Sequence, residues 1–370
     1  MSIERRVAVA TVFTILAGTS ASAQRGLLVQ GIADAELWAS DTSSNLLTRN
    51  AGRPGGLARL HLWAAAEPWR RVVLYGHVEA TGGAARAAMT DERAVEVEQI
   101  ALRYIRSPAL VIDAGQISHV VGEFAPRRFS NRNPLIGVPD AYPTQYPLGA
   151  ALSGATTLVD YRAAVVSLPV SHPVYVPAPD PSARPAFGVG VTPFIGFRIA
   201  ASTTWGPYLN RSFSSAQLDG RPWTRYQQRV TAVDVAFSRG YLETYGELGL
   251  SSYDVPRRTE PIGGMAYFVE AKYTVRPWLF VAGRFERNDY PFIAAFGPTW
   301  VVSATAFNNG EIGAGARLTV STVLKVSYRS DRWHVTPENK AFVRPGGHAF
   351  ALQLSQSYDV LDWVDRARIR

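Results

Sequence analysis

Charged side chains, rather than nucleophiles, are the reactive groups this chain offers in quantity. Residues 118–147 hold Arg127, Arg128 and Arg132 together with Glu123 and Asp140, set among glycines, prolines, asparagines and aromatic rings. Cations and acids gathered in that way do electrostatic work, orienting and sorting polar solutes without breaking bonds. The local patterns of covalent chemistry do not accompany them. Cysteine is absent, which removes thiolate nucleophiles, disulfides and zinc–thiolate sites. The sequence has no nucleophile elbow, phosphate-cradling glycine loop, H-E-x-x-H helix or calcium-loop spacing. His61, His77, His119, His172, His334 and His348 lie too far apart in sequence to suggest a metal pair. His61 and His77 are expected as solvated wall residues, and nothing around Ser327 and His334 singles them out as a hydrolytic pair. No cofactor is implied.

Elements that could hold such charges in position come from the pattern of the whole chain. Residues 1–23 read as a signal peptide: Arg5 and Arg6 lead, Val7 to Ala17 form a short apolar core, and Ala21-Ser22-Ala23 offer a small-residue cleavage site. The apolar core is shorter than the roughly 20 residues a membrane helix needs. The formal charge is +8, one unit of which leaves with Glu4, Arg5 and Arg6. The basic residues are scattered among acids, which argues against nucleic acid as a partner.

Beyond residue 23, apolar and polar residues alternate in about sixteen segments. In 241–248, Glu243 and Glu247 share one face while Leu242 and Leu248 share the other; Lys325, Ser327 and Arg329 oppose Leu324, Val326 and Tyr328 in the same manner. The third segment is expected over 70–82 and the fourteenth over 310–320. Connections run alternately long and short, with tight turns at 107–108, 238–240, 276–277 and 321–322. The fold class this predicts is all-β: a transmembrane antiparallel β-barrel of about 16 strands over 24–358, with short periplasmic turns and long external loops. Residues 359–370 would follow as a periplasmic tail. Trp63, Trp69, Tyr104, Phe237, Tyr241, Tyr273, Trp278 and Tyr358 fall near strand ends, where interfacial aromatic girdles belong.

Turning the polar register of each strand inward places Arg59, Arg71, Arg103, Arg284, Arg317, Lys325, Arg329, Glu243 and Glu247 in the lumen. So many charges in a dry core would be prohibitive, so a watered interior is expected. The 118–147 loop is the candidate constriction: folded inward, it would bring Arg127, Arg128, Arg132, Glu123 and Asp140 to a narrow eyelet.

Three runs in this region carry a resemblance. Val111-Ile112-Asp113-Ala114-Gly115-Gln116 leads through Gly122-Glu123-Phe124; Asn133-Pro134-Leu135-Ile136 follows; Leu148-Gly149-Ala150-Ala151-Leu152-Ser153-Gly154 returns. Together they resemble the central region of the general and phosphate-selective (O/P type) outer-membrane porins. The resemblance implies a 16-stranded, often trimeric diffusion channel with a constricting third loop. This lumen mixes acids with bases where phosphate-selective members concentrate lysine and arginine, and the usual terminal aromatic gives way to a run ending at Arg370.

The reading that follows is a bacterial outer-membrane porin, not an enzyme, passing small hydrophilic solutes with a modest preference for anions. Its partners would be outer-membrane lipid, small hydrophilic or anionic solutes and, by the resemblance, two further copies in a homotrimer. The alternatives are a structural or adhesive outer-membrane barrel with a closed lumen and an outer-membrane lipid hydrolase.

Overall fold

Strands with unlike faces need period-two alternation, and this chain supplies it sixteen times. The computed structural model describes residues 26–41, 54–83, 94–122, 127–139, 146–170, 179–293, 306–340 and 345–360. The strands are β1 (Leu27–Ser40), β2 (Gly55–Trp69), β3 (Val72–Gly83), β4 (Ala94–Ser107), β5 (Leu110–Gln116), β6 (Leu148–Ala155), β7 (Val159–Val166) and β8 (Arg184–Phe194). They continue as β9 (Phe197–Pro207), β10 (Gln227–Arg239), β11 (Leu242–Tyr253), β12 (Ile262–Arg276), β13 (Leu279–Asp289), β14 (Phe307–Arg317), β15 (Thr322–Trp333) and β16 (Gly346–Asp359). Each pairs antiparallel with its sequence neighbours, and β1 pairs with β16, so the sheet closes and leaves no edge. The expected count and order are met. The signal segment 1–23 and residues 361–370 of the expected tail lie outside the described residues.

Closure sorts the side chains. Outward positions carry Leu37, Val189, Leu250, Val269, Ile312, Val326 and Phe350, all exposed. A continuous apolar exterior of this extent is a liability in water and a requirement in hydrocarbon. At the short-turn end Trp69, Tyr241, Tyr273 and Trp278 are also exposed, as a headgroup-level girdle requires. Tyr358, near the same end, is half-buried: its ring lies across Gly31, where any β-carbon would overlap it. Trp63 does not join them. Its register partner is His77, whose side chain is fully buried, and its ring stacks on that imidazole at 4.5 Å.

One expected lumen residue, Arg71, is displaced as well, and another, Arg317, sits at the barrel's end. The third strand begins at Val72, so Arg71 sits exposed in the β2–β3 turn. Its φ is 72°, its N–H donates to Glu67 Oε1 at 3.0 Å, and its carbonyl accepts from Ile105 N at 2.8 Å. β14 spans 307–317 rather than 310–320, which leaves Arg317 exposed at its last position, away from the loop inside. The left-handed backbone at Arg71 costs an L residue about 1 kcal/mol. Arg71→Gly is therefore expected to raise the stability of the folded barrel by about that amount, read as a later midpoint in urea unfolding. An earlier midpoint would mean that the arginine side chain outweighs its backbone strain.

Candidate functional site

A long connection that turns into a barrel must satisfy its backbone on the inner wall, since no ladder reaches it. The segment after β5 does this from its first residues. Ile117 and Val120 are buried against Ala101, Ala164, Val166 and Ala186 of β4, β7 and β8. Gly122 N donates to Ser202 Oγ of β9 at 3.0 Å. Its φ of 76° and its contact with the Glu247 carboxylate leave no room for a side chain. His119 packs between these points with its Nε2 enclosed. Burial, then the charge of Arg184, lowers its pKa to about 3, and the neutral ring accepts from Val121 N at 3.2 Å.

Arg127 and Arg128, adjacent in sequence, reach opposite walls. Arg127 donates to Glu270 of β12 at 2.8 Å and lies 4.4 Å from the centre of the Tyr245 ring. Arg128 is hydrogen-bonded to Glu98 of β4 and stands 3.6 Å from Glu79 of β3. In a closed ring of sixteen, β12 and β4 face each other. The two side chains thus form a strut across the lumen.

The next residues fix the loop to the wall between β13 and β2. Ser130 Oγ donates to Asp34 Oδ1 at 2.6 Å and lies 2.7 Å from Ser355 Oγ. Lys325 Nζ donates to the carbonyls of Ser130 at 2.6 Å, Asn133 at 2.7 Å and Leu135 at 3.4 Å. Glu311 accepts from the backbone of Ile136 at 3.3 Å and Gly137 at 2.9 Å. Arg284 donates to Gly137 O and Asn133 Oδ1, each at 2.8 Å, while pairing with Glu270 at 2.8 Å. Ile136 seals the arrangement against Trp38, Leu57, Ala349 and Ala351.

Phe129 occupies a compact aromatic cluster. Its ring meets His61, Trp63 and His77 edge-on, with centroids 5.1, 4.8 and 5.4 Å away. His61 Nδ1 and His77 Nε2 are 3.2 Å apart, so one ring nitrogen donates and the other accepts. Glu79 and Glu98 stand 3.6 and 3.4 Å from the two histidines. These rings are buried wall groups shared with the loop, rather than solvated ones. Among the described residues no group of three or more His, Asp or Glu is placed to hold a metal ion.

Away from the loop, inward charges pair along the wall. Arg103 binds Asp113 at 2.7 Å; Arg198 bridges Asp160 and Asp234 at 2.8 and 2.7 Å; Lys272 binds Glu243 at 2.6 Å. Arg59 stands 3.5 Å from both Glu36 and Glu79. The Arg103 and Glu243 side chains remain 43% and 46% exposed, which marks wall that water reaches. Under the loop, by contrast, charge is tolerated because it is paired and hydrogen-bonded.

The expected site residues therefore divide. Arg127, Arg128, Arg284, Lys325 and Glu247 meet the loop or belong to it. Arg329 is buried on β15 opposite Glu311. Arg59, Arg103 and Glu243 are wall ion pairs, while Arg71 and Arg317 lie in or beside turns. Glu123 and Asp140 fall outside the described residues. Arg132 is exposed, and no ion pair involves it among the described residues. Trp63, Glu98, Phe129, Ser130 and Asn133 are the contacts that sequence reasoning missed. Counting back from the β2–β3 turn does not find them: a bulge between Ala66 and Trp69 shifts the register by one, and that shift is what pairs His61 with Glu79 and Trp63 with His77.

The sequence matches no family model and no curated protein. Solved structures do match its fold. OprB of Pseudomonas putida superposes with a TM-score of 0.59 at 9% identity, over 93% of this chain and 97% of that one. The anion-selective porin from Comamonas acidovorans gives 0.59 at 8% identity, over 90% and 99%. Salmonella typhi OmpF, in complex with daunomycin, gives 0.57 at 12% identity, over 90% and 97%. The chain shares the closed 16-stranded barrel fold of these outer-membrane proteins.

Proposed function

We propose that this barrel resides in a bacterial outer membrane and lets small hydrophilic solutes diffuse passively through its lumen, with a modest preference for anions. The apolar exterior supports the location. The observation that carries the function is the constriction: a polar loop bonded inside the lumen, with water-reached ion pairs on the wall beyond it. Such passage is selected by width and fixed charge, and needs neither a cofactor nor a bond-making side chain. Assembly as a homotrimer, implied by the sequence resemblance, belongs to the same proposal.

Most wall charges cancel in pairs, so the anion preference rests on Arg132. Under a salt gradient across a planar bilayer, the reversal potential of the wild-type channel is expected on the anion side. Arg132→Ala is expected to move it toward zero or beyond. A potential that Arg132→Ala leaves unchanged sinks the anion assignment and leaves passage standing.

A second reading is favoured by the strut from Glu270 through Arg127 and Arg128 to Glu98. If that bridge closes the lumen, the barrel is structural, and its external loops meet a surface partner. Folded protein without current would support this reading.

A further inference from the structure

Below the aromatic cluster lies a cavity of about 530 Å³ whose lining includes Gln30, Trp63, Phe129, Asn131, Arg132, Ser357 and Asp359. We infer that it is a binding site for a hydroxylated ring bearing one carboxylate, a hexuronate-type sugar acid. The inference rests on the porin reading for its physiological meaning, but not for its test.

Place comes first. Gln30 and Ile32 lie near the start of β1, and Ser357 and Asp359 at the end of β16, which is the short-turn end of the barrel. The roof is the loop itself, through Phe129, Asn131 and Arg132. A solute that has passed the Arg127–Arg128 strut meets this cavity on the far side. Its volume falls within the roughly 300–1,000 Å³ of sites that enclose small molecules.

Chemistry follows from the lining. Arg127 and Arg128 are committed to carboxylates of the wall, whereas Arg132 has no ion pair among the described residues and is exposed. Its own N–H donates to Phe129 O at 2.8 Å, as does that of Asn133, so a hydrogen-bonded turn holds Arg132 in the cavity lining. A planar guanidinium suits a carboxylate through two parallel hydrogen bonds. Trp63 and Phe129 supply ring surface, and both are held. Trp63 is stacked on His77 at an interplanar angle of 6°, and Phe129 stands at 84° to Trp63. Rigid aromatic surface accepts the C–H face of a sugar ring with little ordering cost. Gln30, Asn131 and Ser357 offer amide and hydroxyl groups for ring hydroxyls. Asp359, the acid among the described lining residues, disfavours a second anionic group and so points to a monocarboxylate.

Isothermal titration of the detergent-folded full chain tests this directly, using glucuronate, glucose and cyclohexanecarboxylate as probes. Glucuronate is expected to bind one site at least tenfold more tightly than either of the others, because glucose lacks the carboxylate and cyclohexanecarboxylate lacks the hydroxyls. In Arg132→Gln, glucuronate is expected to fall to the level of glucose while glucose is unchanged. Arg132 is exposed, so barrel folding is expected to survive, as checked by heat-modifiable migration. Equal binding of glucuronate and glucose, equal binding of glucuronate and cyclohexanecarboxylate, no binding of any probe, or glucuronate affinity indifferent to Arg132→Gln would each overturn the assignment. The measurement is made at equilibrium without current. A barrel that binds glucuronate but does not conduct would contradict the porin reading alone; one that conducts but binds none of the probes would contradict this site alone.

Discussion

Replacing Lys325 by methionine is expected to detach the loop from the wall while leaving the barrel closed. Lys325 is 2% exposed, and its ammonium spends its three protons on three loop carbonyls, those of Ser130, Asn133 and Leu135. Methionine fills similar space but donates nothing, so three buried acceptors lose their charged partner. The loss is expected to be about 3 kcal/mol or more for the attached loop. Asp34, Glu36 and Glu311, acids whose charge favours the ammonium, would also lose its charge. The barrel ladders do not depend on Lys325 side-chain bonds, so heat-modifiable migration should persist. Hydrogen exchange at the amides of Ile136 and Gly137 is expected to rise by two orders of magnitude or more, as about 3 kcal/mol implies. Protection unchanged from wild type would show that Glu311, Arg284 and Ser130 hold the loop without the lysine.

The second large effect concerns the strut. In Arg127→Ala/Arg128→Ala, the two side chains that span the lumen to opposite walls are removed, and Glu270, Glu98 and Glu79 lose cationic partners. Arg284 still faces Glu270, so the wall on that side stays partly compensated. On the opposite side Glu98 retains His77 and Tyr146 as neighbours, neither of which replaces the guanidinium charge. Single-channel conductance is expected to rise by roughly twofold or more, because the cross-section widens where it is narrowest. The reversal potential is expected to move toward cations, because net negative charge now lines the gap. Conductance equal to wild type would place the narrowest point elsewhere, in a segment outside the described residues or among the external loops.

How much of this was legible in the sequence follows from the range of each signal. Alternation is a period-two property of a single segment, so sixteen strands, their order and the facing of Glu243, Glu247, Lys325 and Arg329 could be read directly. Closure follows from hydrophobic outward faces and obligatory backbone pairing, both also local. The length and composition of 118–147 marked the loop. Its path could not be read, because each anchor joins distant parts of the chain: Arg128 to Glu98 across 30 positions, Arg127 to Glu270 across 143, Ser130 to Ser355 across 225. Adjacent arginines carry no sequence mark telling which faces β4 and which faces β12. Trp63 was misplaced because an aromatic near a strand end fits a lipid girdle as well as a lumenal stack, and only the β2–β3 register decides. Arg71 was misplaced by a single residue of strand boundary, the scale at which turn geometry overrides alternation.

The claim most exposed to refutation is that solutes pass this constriction at all. Single-channel recording of the purified, detergent-folded wild-type barrel in a planar bilayer tests it. Stepwise ohmic current, with a reversal potential on the anion side under a salt gradient, is the predicted result. A barrel that inserts fully folded and passes no current would contradict it, and would make the Arg127–Arg128 strut a closure rather than an eyelet.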